Sequence, residues 1–393
     1  MFYPRKIYTS LKSHLAKKQI TILTGMRRVG KTTLVKQLLS EIPSKNKVYF
    51  DLERLDNREL FSEKNYEAII SAFNQRGLDL SKKLYVAIDE IQLSKNISSV
   101  LKYLYDNYDI KFILTGSSSF YLKNFFSESL AGRKKIFELF PLDFGEFLAF
   151  KSVNFKLDGK IWQSKFQLAE YERLKSYYED YLAFGGFPEV VLAKTQQDKK
   201  DLLSDIISSY INIDVASLSD FREQKSFYDL TKLLAGRVAS RLDYTKLSRL
   251  SGLSRPTVIN YLEFLEKTYV IVRIPVFSKN LDREIVKAKK LYFCDNGLMN
   301  ILAQASSGVQ FENAVFNQLR HCGELSYYAL KTGQEIDFVL DKKLALEAKE
   351  TPTQGDIKSL SALAGMAGLK SCRLIGRLVS PRFKDYIWGG DIK

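Results

Sequence analysis

Cysteine and histidine are scarce in this chain of 393 residues. It has three cysteines, Cys294, Cys322 and Cys372, and two histidines, His14 and His321. The cysteines are odd in number, far apart and without CxxC spacing, which argues against a disulfide framework and against a zinc site. Two histidines are too few for a histidine-rich metal site.

Long apolar runs are also missing. Residues 1–18 are basic but contain no apolar stretch of the kind that a signal peptide needs. No segment approaches the ~18 consecutive apolar residues of a membrane-spanning helix. We therefore expect a cytoplasmic protein that works in a reducing environment and has no membrane partner.

Positive charge is in excess. Lys and Arg number 60 against 45 Asp and Glu, which gives a net charge of +15 and a pI near 9.4. Such a surplus favours polyanionic partners such as nucleic acid. A merely basic protein without such a partner would have the same total, so the charge alone does not decide between the two.

The first part of the chain, residues 1–150, alternates between strand and helix patterns. Short apolar runs predict five strands, and helical spacing follows the first of them over residues 31–42. Alternation of this kind predicts an α/β fold with a parallel sheet covered by helices on both faces. The predicted strands are residues 19–24, 48–52, 84–88, 112–115 and 136–139.

The pattern changes after residue 150. Residues 151–225 have helical spacing broken near Gly186 and predict a helical connector or lid. Residues 226–284 predict short helices followed by an extended apolar run, and residues 285–393 predict a mixed α/β region. The elements predicted in this last region are strands at 290–293, 336–340 and 344–349, and helices at 311–319 and after Thr353.

A phosphate-binding pattern lies between the first predicted strand and the first predicted helix. Residues 25–32 match G-x-x-x-x-G-K-[ST] at every fixed position. The glycines let successive backbone N–H groups point at phosphates, and the helix N-terminus adds its dipole. The pattern predicts ATP binding, with Lys31 at the β- and γ-phosphates and Thr32 on Mg²⁺. The predicted nucleotide-binding residues are Gly25, Met26, Arg27, Arg28, Val29, Gly30, Lys31, Thr32 and Thr33.

An acidic pair ends the third predicted strand. The apolar run at residues 84–88 leads into Asp89 and Glu90. We expect Asp89 to hold Mg²⁺ through water and Glu90 to polarise the attacking water as a general base. The alternative is an acidic turn at a strand end that has no part in hydrolysis.

Two further candidates follow along the chain. The fourth predicted strand ends in a hydroxyl-rich segment, residues 115–119, and strand ends of this kind line the ligand crevice of a doubly wound sheet. Thr115 or Ser117 there could sense the γ-phosphate or position water, unless the segment is an ordinary Gly/Ser loop. Arg133 is a candidate arginine finger on the nucleotide of a neighbouring copy, which would require a homo-oligomer. The alternative is a surface arginine.

Residues 243–267 have a helix-turn-helix pattern, followed by a candidate wing strand at residues 269–277. From residue 226 to 290 there are 13 Lys and Arg against 6 Asp and Glu, which supports contact with nucleic-acid phosphates. The predicted DNA-contacting residues, at the start of the second helix, are Arg255, Thr257 and Asn260. The alternative is a winged helix that serves as a lid or a packing module.

Carboxylates and a lysine converge in the C-terminal region. Asp337 is followed ten residues later by Glu347-Ala-Lys349, on two predicted strands joined by a short turn. Glu347 and Lys349 fall on one face of their strand, and Glu312 on the preceding helix could add a third acid. Such a set suits metal-dependent phosphodiester hydrolysis, because the acids hold Mg²⁺ and the lysine stabilises developing charge. The alternatives are a cross-strand salt bridge and a nuclease fold kept for binding alone.

The P-loop, the acidic pair and the hydroxyl-rich strand end together resemble those of AAA-type ATPases. Residues 140–147, 185–189 and 290–297 resemble signature segments of one prokaryotic family that joins an AAA module to a C-terminal domain of unknown function. The resemblance covers nearly the whole chain. It implies an AAA-type parallel-sheet ATPase, a winged-helix segment and a C-terminal restriction-endonuclease-like α/β domain similar to PD-(D/E)XK nucleases. Ile336 stands where a proline usually precedes the first Asp of that motif.

Three functions remain open from the sequence. The leading hypothesis is an ATP hydrolase with a role on DNA, with or without nuclease activity. The second is a regulatory or signalling switch NTPase that acts on a protein partner and carries a nuclease-like domain without catalysis. The third is a small-molecule kinase, which the helical extension and the acidic pair at the strand end disfavour.

Overall fold

The structure of the protein, a computed structural model, describes residues 2–94, 96–117, 132–155, 165–216, 224–278 and 280–392. Ser118 and Ser119, the end of the predicted hydroxyl-rich loop, lie outside these residues. Two compact units divide the chain: Met1–Phe140 with Lys267–Tyr269, and Pro141–Glu266 with Val270–Lys393. No helix in the described ranges is long and apolar enough to cross a membrane.

Five parallel strands form the sheet of the first unit. They are β1 (Ile20–Thr24), β2 (Lys47–Asp51), β3 (Leu84–Asp89), β4 (Ile110–Gly116) and β5 (Lys134–Glu138). Their order across the sheet is β2-β3-β4-β1-β5, and every pairing is parallel. The prediction of five parallel strands is confirmed, with ends that differ by one or two residues.

The central strands explain why this sheet could be predicted. β1 and β4 are buried along their whole length, and strands covered on both faces have unbroken apolar runs rather than alternation. The helices of this unit are α1 (Tyr8–His14), α2 (Lys31–Ser40), α3 (Leu55–Ser62), α4 (Tyr66–Gln75) and α5 (Ile97–Asn107). α2 starts where the helical spacing predicts and ends two residues earlier.

Helices occupy most of the described chain between residues 144 and 267. They are α6 (Phe144–Phe150), α7 (Leu168–Phe184), α8 (Pro188–Leu192), α9 (Gln196–Ser209), α10 (Gln224–Ala235), α11 (Tyr244–Ser251) and α12 (Arg255–Lys267). A π-helical turn, Tyr210–Val215, follows α9. The predicted break near Gly186 is confirmed between α7 and α8.

The two helices of the predicted helix-turn-helix have side-chain caps. The Asp243 carboxylate accepts a hydrogen bond from the backbone N–H of Lys246 over 2.9 Å at the start of α11. The Ser254 hydroxyl accepts one from the N–H of Thr257 over 3.2 Å at the start of α12. Each cap satisfies a backbone donor that the helix itself leaves unpaired. Two antiparallel strands, β6 (Ile271–Ile274) and β7 (Lys290–Phe293), follow, with α13 (Leu281–Val286) between them in the sequence.

A second five-stranded sheet ends the chain. Its strands are β8 (Leu325–Ala329), β9 (Glu335–Leu340), β10 (Leu344–Lys349), β11 (Ser371–Gly376) and β12 (Ile387–Trp388), and its neighbouring helices are α14 (Asn296–Leu302), α15 (Ser307–Leu319) and α16 (Gln354–Ala367). The order is β12-β11-β10-β9-β8. β8, β9 and β10 pair antiparallel, whereas β11 runs parallel to both β10 and β12. α16 joins β10 to β11, and its apolar side chains are part of the core of this sheet.

Three segments that are far apart in the sequence meet at Gly186. The carbonyl oxygen of Gly186 accepts a hydrogen bond from the N–H of Leu142, and its own N–H donates to Asp295, each over 2.7 Å. A Cβ on Gly186 would lie 2.1 Å from the carbonyl oxygen of Leu142, so only glycine permits this approach. Asp295 also caps α14 by accepting from the N–H of Leu298 over 3.0 Å. Burial raises the pKa of Asp295 to about 6, against the lowering effect of these backbone donors.

Candidate functional site

The P-loop connects β1 to α2. A Cβ on Gly25 would lie 2.1 Å from the carbonyl oxygen of Leu139, just beyond the end of β5, so the loop can pass β5 only with a glycine here. Of the predicted contacts of the loop, four are buried and the other five are at least partly exposed. The buried ones are Gly25, Met26, Val29 and Lys31. The side chain of Arg27 is 3.9 Å from that of Glu53.

The ammonium of Lys31 lies inside the loop. It is buried and donates to the carbonyl oxygens of Gly25 over 2.9 Å and Met26 over 3.0 Å. A positive charge is therefore held beside the N-terminus of α2, where the helix dipole also favours an anion. This arrangement suits binding of a phosphate group.

Arg5, which lies outside the P-loop sequence, contacts the loop through hydrogen bonds. It was not among the predicted residues. Its buried guanidinium donates to the carbonyl oxygen of Val29 over 3.0 Å and to that of Phe140 over 2.7 Å. One side chain thus connects the P-loop to the segment after β5. The basic N-terminus gave no periodic signal that could have singled out this arginine.

The carboxylate of Asp89 is the centre of the site. It accepts hydrogen bonds from the hydroxyls of Thr32 over 2.6 Å, Tyr49 over 2.7 Å and Thr115. Burial and the hydrogen bond to Asp89 raise the pKa of Tyr49 well above its ordinary value, so that the phenol stays protonated. Tyr49 lies on β2 and was not predicted, because nothing local marks it as a partner of a residue 40 positions away.

Glu90 follows Asp89 in a left-handed backbone conformation with φ of 54°. Its N–H donates to the hydroxyl of Thr115 over 3.1 Å. The side-chain amide of Gln92 donates both to the Glu90 carboxylate and, over 3.0 Å, to the hydroxyl of Ser117. The structure therefore brings Glu90, Thr115 and Ser117 together and adds Gln92, which the sequence analysis missed.

Arg133 lies away from this group. It directly precedes β5 and forms a two-pronged ion pair with Asp106, over 3.0 and 3.3 Å. Ile20 of β1 pairs with Lys134, whereas Thr24, which leads into the P-loop, pairs with Glu138. Arg133 therefore lies at the opposite end of the strands from the P-loop, about 15 Å away at the usual rise of a strand. It does not reach the nucleotide site of its own chain, and a role on a neighbouring copy stays a prediction.

The residues at Asp89 fit a magnesium ion. Mg²⁺ prefers oxygen ligands and is usually bound by one or two protein groups together with water and phosphate oxygens. The Thr32 hydroxyl and the Asp89 carboxylate supply two such oxygens next to the phosphate-binding loop. These two residues would hold the ion.

The predicted DNA contacts lie at the start of α12. Arg255 and Asn260 are exposed, whereas Thr257 is half-buried and its hydroxyl is hydrogen-bonded to that of Ser254 over 2.8 Å. The buried side of this helix includes Val258, Leu262 and Leu265.

The predicted carboxylate cluster gathers around a lysine that was not predicted. Lys290, at the start of β7, is buried, and its Nζ lies 2.8 Å from Glu312 Oε1, 3.0 Å from Glu335 Oε1 and 3.0 Å from Asp337 Oδ1. Burial and the neighbouring Asp337 raise the pKa of the Glu312 carboxyl, while Lys290 opposes that rise. A lysine inside an otherwise apolar strand was the signal that could have revealed this partner.

Glu347 and Lys349 form an ion pair of their own on β10, over 2.7 Å. Burial and Asp337 raise the pKa of Glu347, while Lys349 opposes that rise. Across the described ranges of the chain, no three His, Cys, Asp or Glu side chains are grouped so that they could hold a metal ion.

One known protein family matches most of the first unit. Residues 17–148 match the model of a family described as an AAA domain. The parallel five-stranded sheet, the P-loop and the Asp89 centre define the same class, a P-loop ATPase that binds and hydrolyses a nucleotide. Residues 175–308 match a second model, Domain of unknown function (DUF8612).

Relatives extend the similarity over most of the chain. The uncharacterized protein MJ1544 of Methanocaldococcus jannaschii is 30% identical over 372 residues, which cover 90% of this chain and 80% of that protein. The chain belongs to the family of this archaeal protein. An uncharacterized protein of Haemophilus influenzae is 25% identical over 337 residues, which cover 82% of this chain and 80% of that protein.

Among solved structures, the Aeropyrum pernix Orc1 protein in complex with DNA is similar over 75% of this chain and 90% of its own length. The sequence identity is 11% and the TM-score is 0.32.

Proposed function

We propose that this protein is a Mg²⁺-dependent ATP hydrolase whose turnover responds to DNA bound by its helix-turn-helix segment. The observation that supports ATP hydrolysis is the environment of the Asp89 carboxylate. It accepts hydrogen bonds from Thr32 of the P-loop and from Thr115 at the end of β4, and Glu90 follows it directly. The ends of β3 and β4 and the start of α2 thus contribute to one site at the carboxyl end of a parallel sheet, where ligands of such sheets bind.

Each residue has a distinct task in hydrolysis. Lys31 and the N–H groups of the P-loop bind the β- and γ-phosphates. Thr32 and Asp89 would hold a magnesium ion, which would neutralise charge that develops on the phosphates. Glu90 accepts a proton from the attacking water, and Gln92 with Ser117 holds the Glu90 carboxylate in place.

The DNA-binding part of the proposal is supported by exposed cations on two capped helices. Lys246 and Arg249 on α11 and Arg255 on α12 are exposed, next to the exposed amide of Asn260. A recognition helix presents its first turns to the groove in this manner, while neighbouring cations contact the backbone phosphates. The strand pair β6 and β7 would be the wing of a winged helix.

The resemblance of the C-terminal sheet to PD-(D/E)XK nucleases is supported by the order of its elements. A helix, three antiparallel strands, a crossover helix and a parallel strand follow one another from α15 to β11. Asp337 on β9 and the Glu347–Lys349 pair on β10 thereby come to adjacent strands. We propose this domain as a further nucleic-acid-binding surface of the same protein.

One experiment separates the candidate functions. ATP turnover is measured for the intact chain and for Glu90→Gln, each with and without duplex and single-stranded DNA at low salt. We expect DNA to raise turnover in the wild type. Glu90→Gln should bind ATP and DNA normally but lose turnover by about 10²- to 10⁴-fold, the usual contribution of a general base.

Other outcomes point elsewhere. ATP binding with negligible turnover, no mobility shift and no response to DNA would reject the DNA role and favour a switch that acts on a protein partner. Transfer of phosphate to an added metabolite would favour a small-molecule kinase. A homo-oligomer that uses Arg133 in trans predicts that specific activity rises with protein concentration in the wild type but not in Arg133→Ala.

A further inference from the structure

The ammonium of Lys290 is fully coordinated by carboxylates. An ammonium has three N–H donors, and three carboxylate oxygens lie within 3.0 Å of Lys290 Nζ, one each from Glu312, Glu335 and Asp337. These acids come from α15 and β9, so the lysine on β7 joins three elements. Its hydrogen-bonding capacity is therefore filled inside the cluster.

Lys290 is buried, and a buried ion is tolerated only when it is paired and hydrogen-bonded. The three carboxylate oxygens within 3.0 Å of its Nζ meet both conditions. The cluster therefore has a positive charge at its centre.

Two further donors reach the cluster. The hydroxyl of Tyr292 donates over 2.7 Å to Glu312 Oε1, the oxygen that also contacts Lys290, and the N–H of Ala348 donates to the second oxygen of Asp337 over 3.1 Å. Glu347, the other acid expected to hold a metal, is paired with Lys349. Each acid of the predicted metal set is thus already neutralised by a side chain or held by a donor.

The residues present do not fit a divalent metal. Mg²⁺ and related ions need several oxygens within about 2.0–2.6 Å. The oxygens that would have to coordinate the ion are the ones that already contact the Lys290 ammonium. If a metal ion took these carboxylates, Lys290 would be left as a buried charge without a partner, which is energetically costly. The cluster therefore differs from the metal-binding set that its sequence spacing predicts.

We propose that Lys290 is the resident cation of this cluster, that it stands in the place a divalent metal would take, and that the C-terminal domain consequently does not cleave phosphodiesters. This inference is independent of the ATPase site and of the DNA contacts proposed for α12. It gives the domain a binding or structural role, with the lysine locking β7, β9 and α15 together.

The test titrates Mn²⁺ into four full-length proteins without nucleotide and counts bound ions by electron paramagnetic resonance. The proteins are the wild type, Lys290→Met, Asp337→Asn and the control Lys199→Met. Lys199 is also buried and ion-paired, to Asp180 over 2.6 Å, but lies outside the cluster. Thermal unfolding with and without Mn²⁺ and nicking of supercoiled plasmid are measured in parallel.

We expect the wild type and Asp337→Asn to bind equal amounts of Mn²⁺ and to leave plasmid intact. Lys290→Met should gain one bound ion per chain and a Tm that rises with Mn²⁺, because its three acids lack a cation, whereas Lys199→Met should gain neither. One ion more in the wild type than in Asp337→Asn, or nicking that Asp337→Asn abolishes, overturns the proposal. A folded Lys290→Met that gains no ion also overturns it. If Lys290→Met fails to fold, the comparison of wild type with Asp337→Asn still decides.

Discussion

The side-chain amide of Gln92 donates a hydrogen bond to the carboxylate of Glu90, the residue proposed to activate water. The same amide reaches the hydroxyl of Ser117 over 3.0 Å. Gln92 therefore connects the acid after β3 to the end of β4. Because it contacts neither the P-loop nor Asp89 in the described hydrogen bonds, we assign it as a positioning residue rather than a catalytic one.

Gln92→Ala should lower kcat for ATP about tenfold and leave KM unchanged, because a hydrogen bond to a charged group contributes about 1.5–3 kcal/mol. Steady-state kinetics measure this effect. The double variant Gln92→Ala/Glu90→Gln should be no slower than Glu90→Gln alone, since Gln92 acts through Glu90. Additive losses in the double variant would show that Gln92 has a separate task.

Tyr49→Phe removes one of the three hydroxyls that donate to Asp89. We expect the Mg²⁺ concentration for half-maximal turnover to rise about tenfold, because one charge-assisted hydrogen bond that orients the carboxylate is lost. Nucleotide binding in EDTA should stay the same, since Tyr49 is not expected to contact the phosphates. An unchanged Mg²⁺ dependence would mean that Thr32 and Thr115 alone orient Asp89.

Arg255→Ala tests the proposed DNA-binding surface. Loss of one phosphate contact should weaken DNA binding and reduce the slope of log Kd against log salt concentration by about 1. Lys64→Ala is the matched control, because Lys64 is an exposed cation on the first unit, outside the helix-turn-helix segment. Equal effects of the two substitutions would indicate that only the total charge matters.

Asp295 makes stability depend on pH. Its folded-state pKa of about 6 lies above the ordinary value of 3.8, so the native state retains a proton that the unfolded chain releases between these two values. The contribution of Asp295 to the free energy of unfolding is therefore complete below pH ~4 and is lost as pH rises through 6. The two-unit shift corresponds to about 3 kcal/mol.

Urea unfolding from pH 4 to pH 7 checks this effect against Asp295→Asn, which cannot ionise. We expect the free energy of unfolding of the wild type, relative to this variant, to fall by up to about 3 kcal/mol over that range. A pH-independent difference would place the titration of Asp295 outside the range.

The elements that the sequence predicted are those whose signals are local. The P-loop, the acidic pair after residues 84–88 and the helix-turn-helix pattern of residues 243–267 all depend on spacings of a few residues. Arg5, Tyr49 and Lys290 contact partners 22 to 135 residues away, and no short pattern marks such pairs. Each of them is a polar side chain that the fold buries or half-buries next to a carbonyl or a carboxylate.

The charge count over residues 226–290 overstated the surface available to DNA. Arg273 is buried against Glu266, and Lys290 is buried among three acids, so at least two of the cations in that count do not face solvent. Net charge summed along a sequence cannot distinguish a solvated cation from one neutralised inside the fold. The exposed cations of α11 and α12 are therefore a better guide than the total.

The hydrogen bonds of Gly186 set the order in which the nascent chain can fold. When Gly186 leaves the ribosome, Leu142 is already available, but Asp295 is 109 residues from synthesis. Until Asp295 is made, the side chains of Phe144, Leu182 and Phe187, which are all buried in the finished protein, lack part of the structure that covers them. Nearly all of the first unit is synthesised by residue 140, so it has most of its partners during translation, whereas the second can close only after most of the chain has been released.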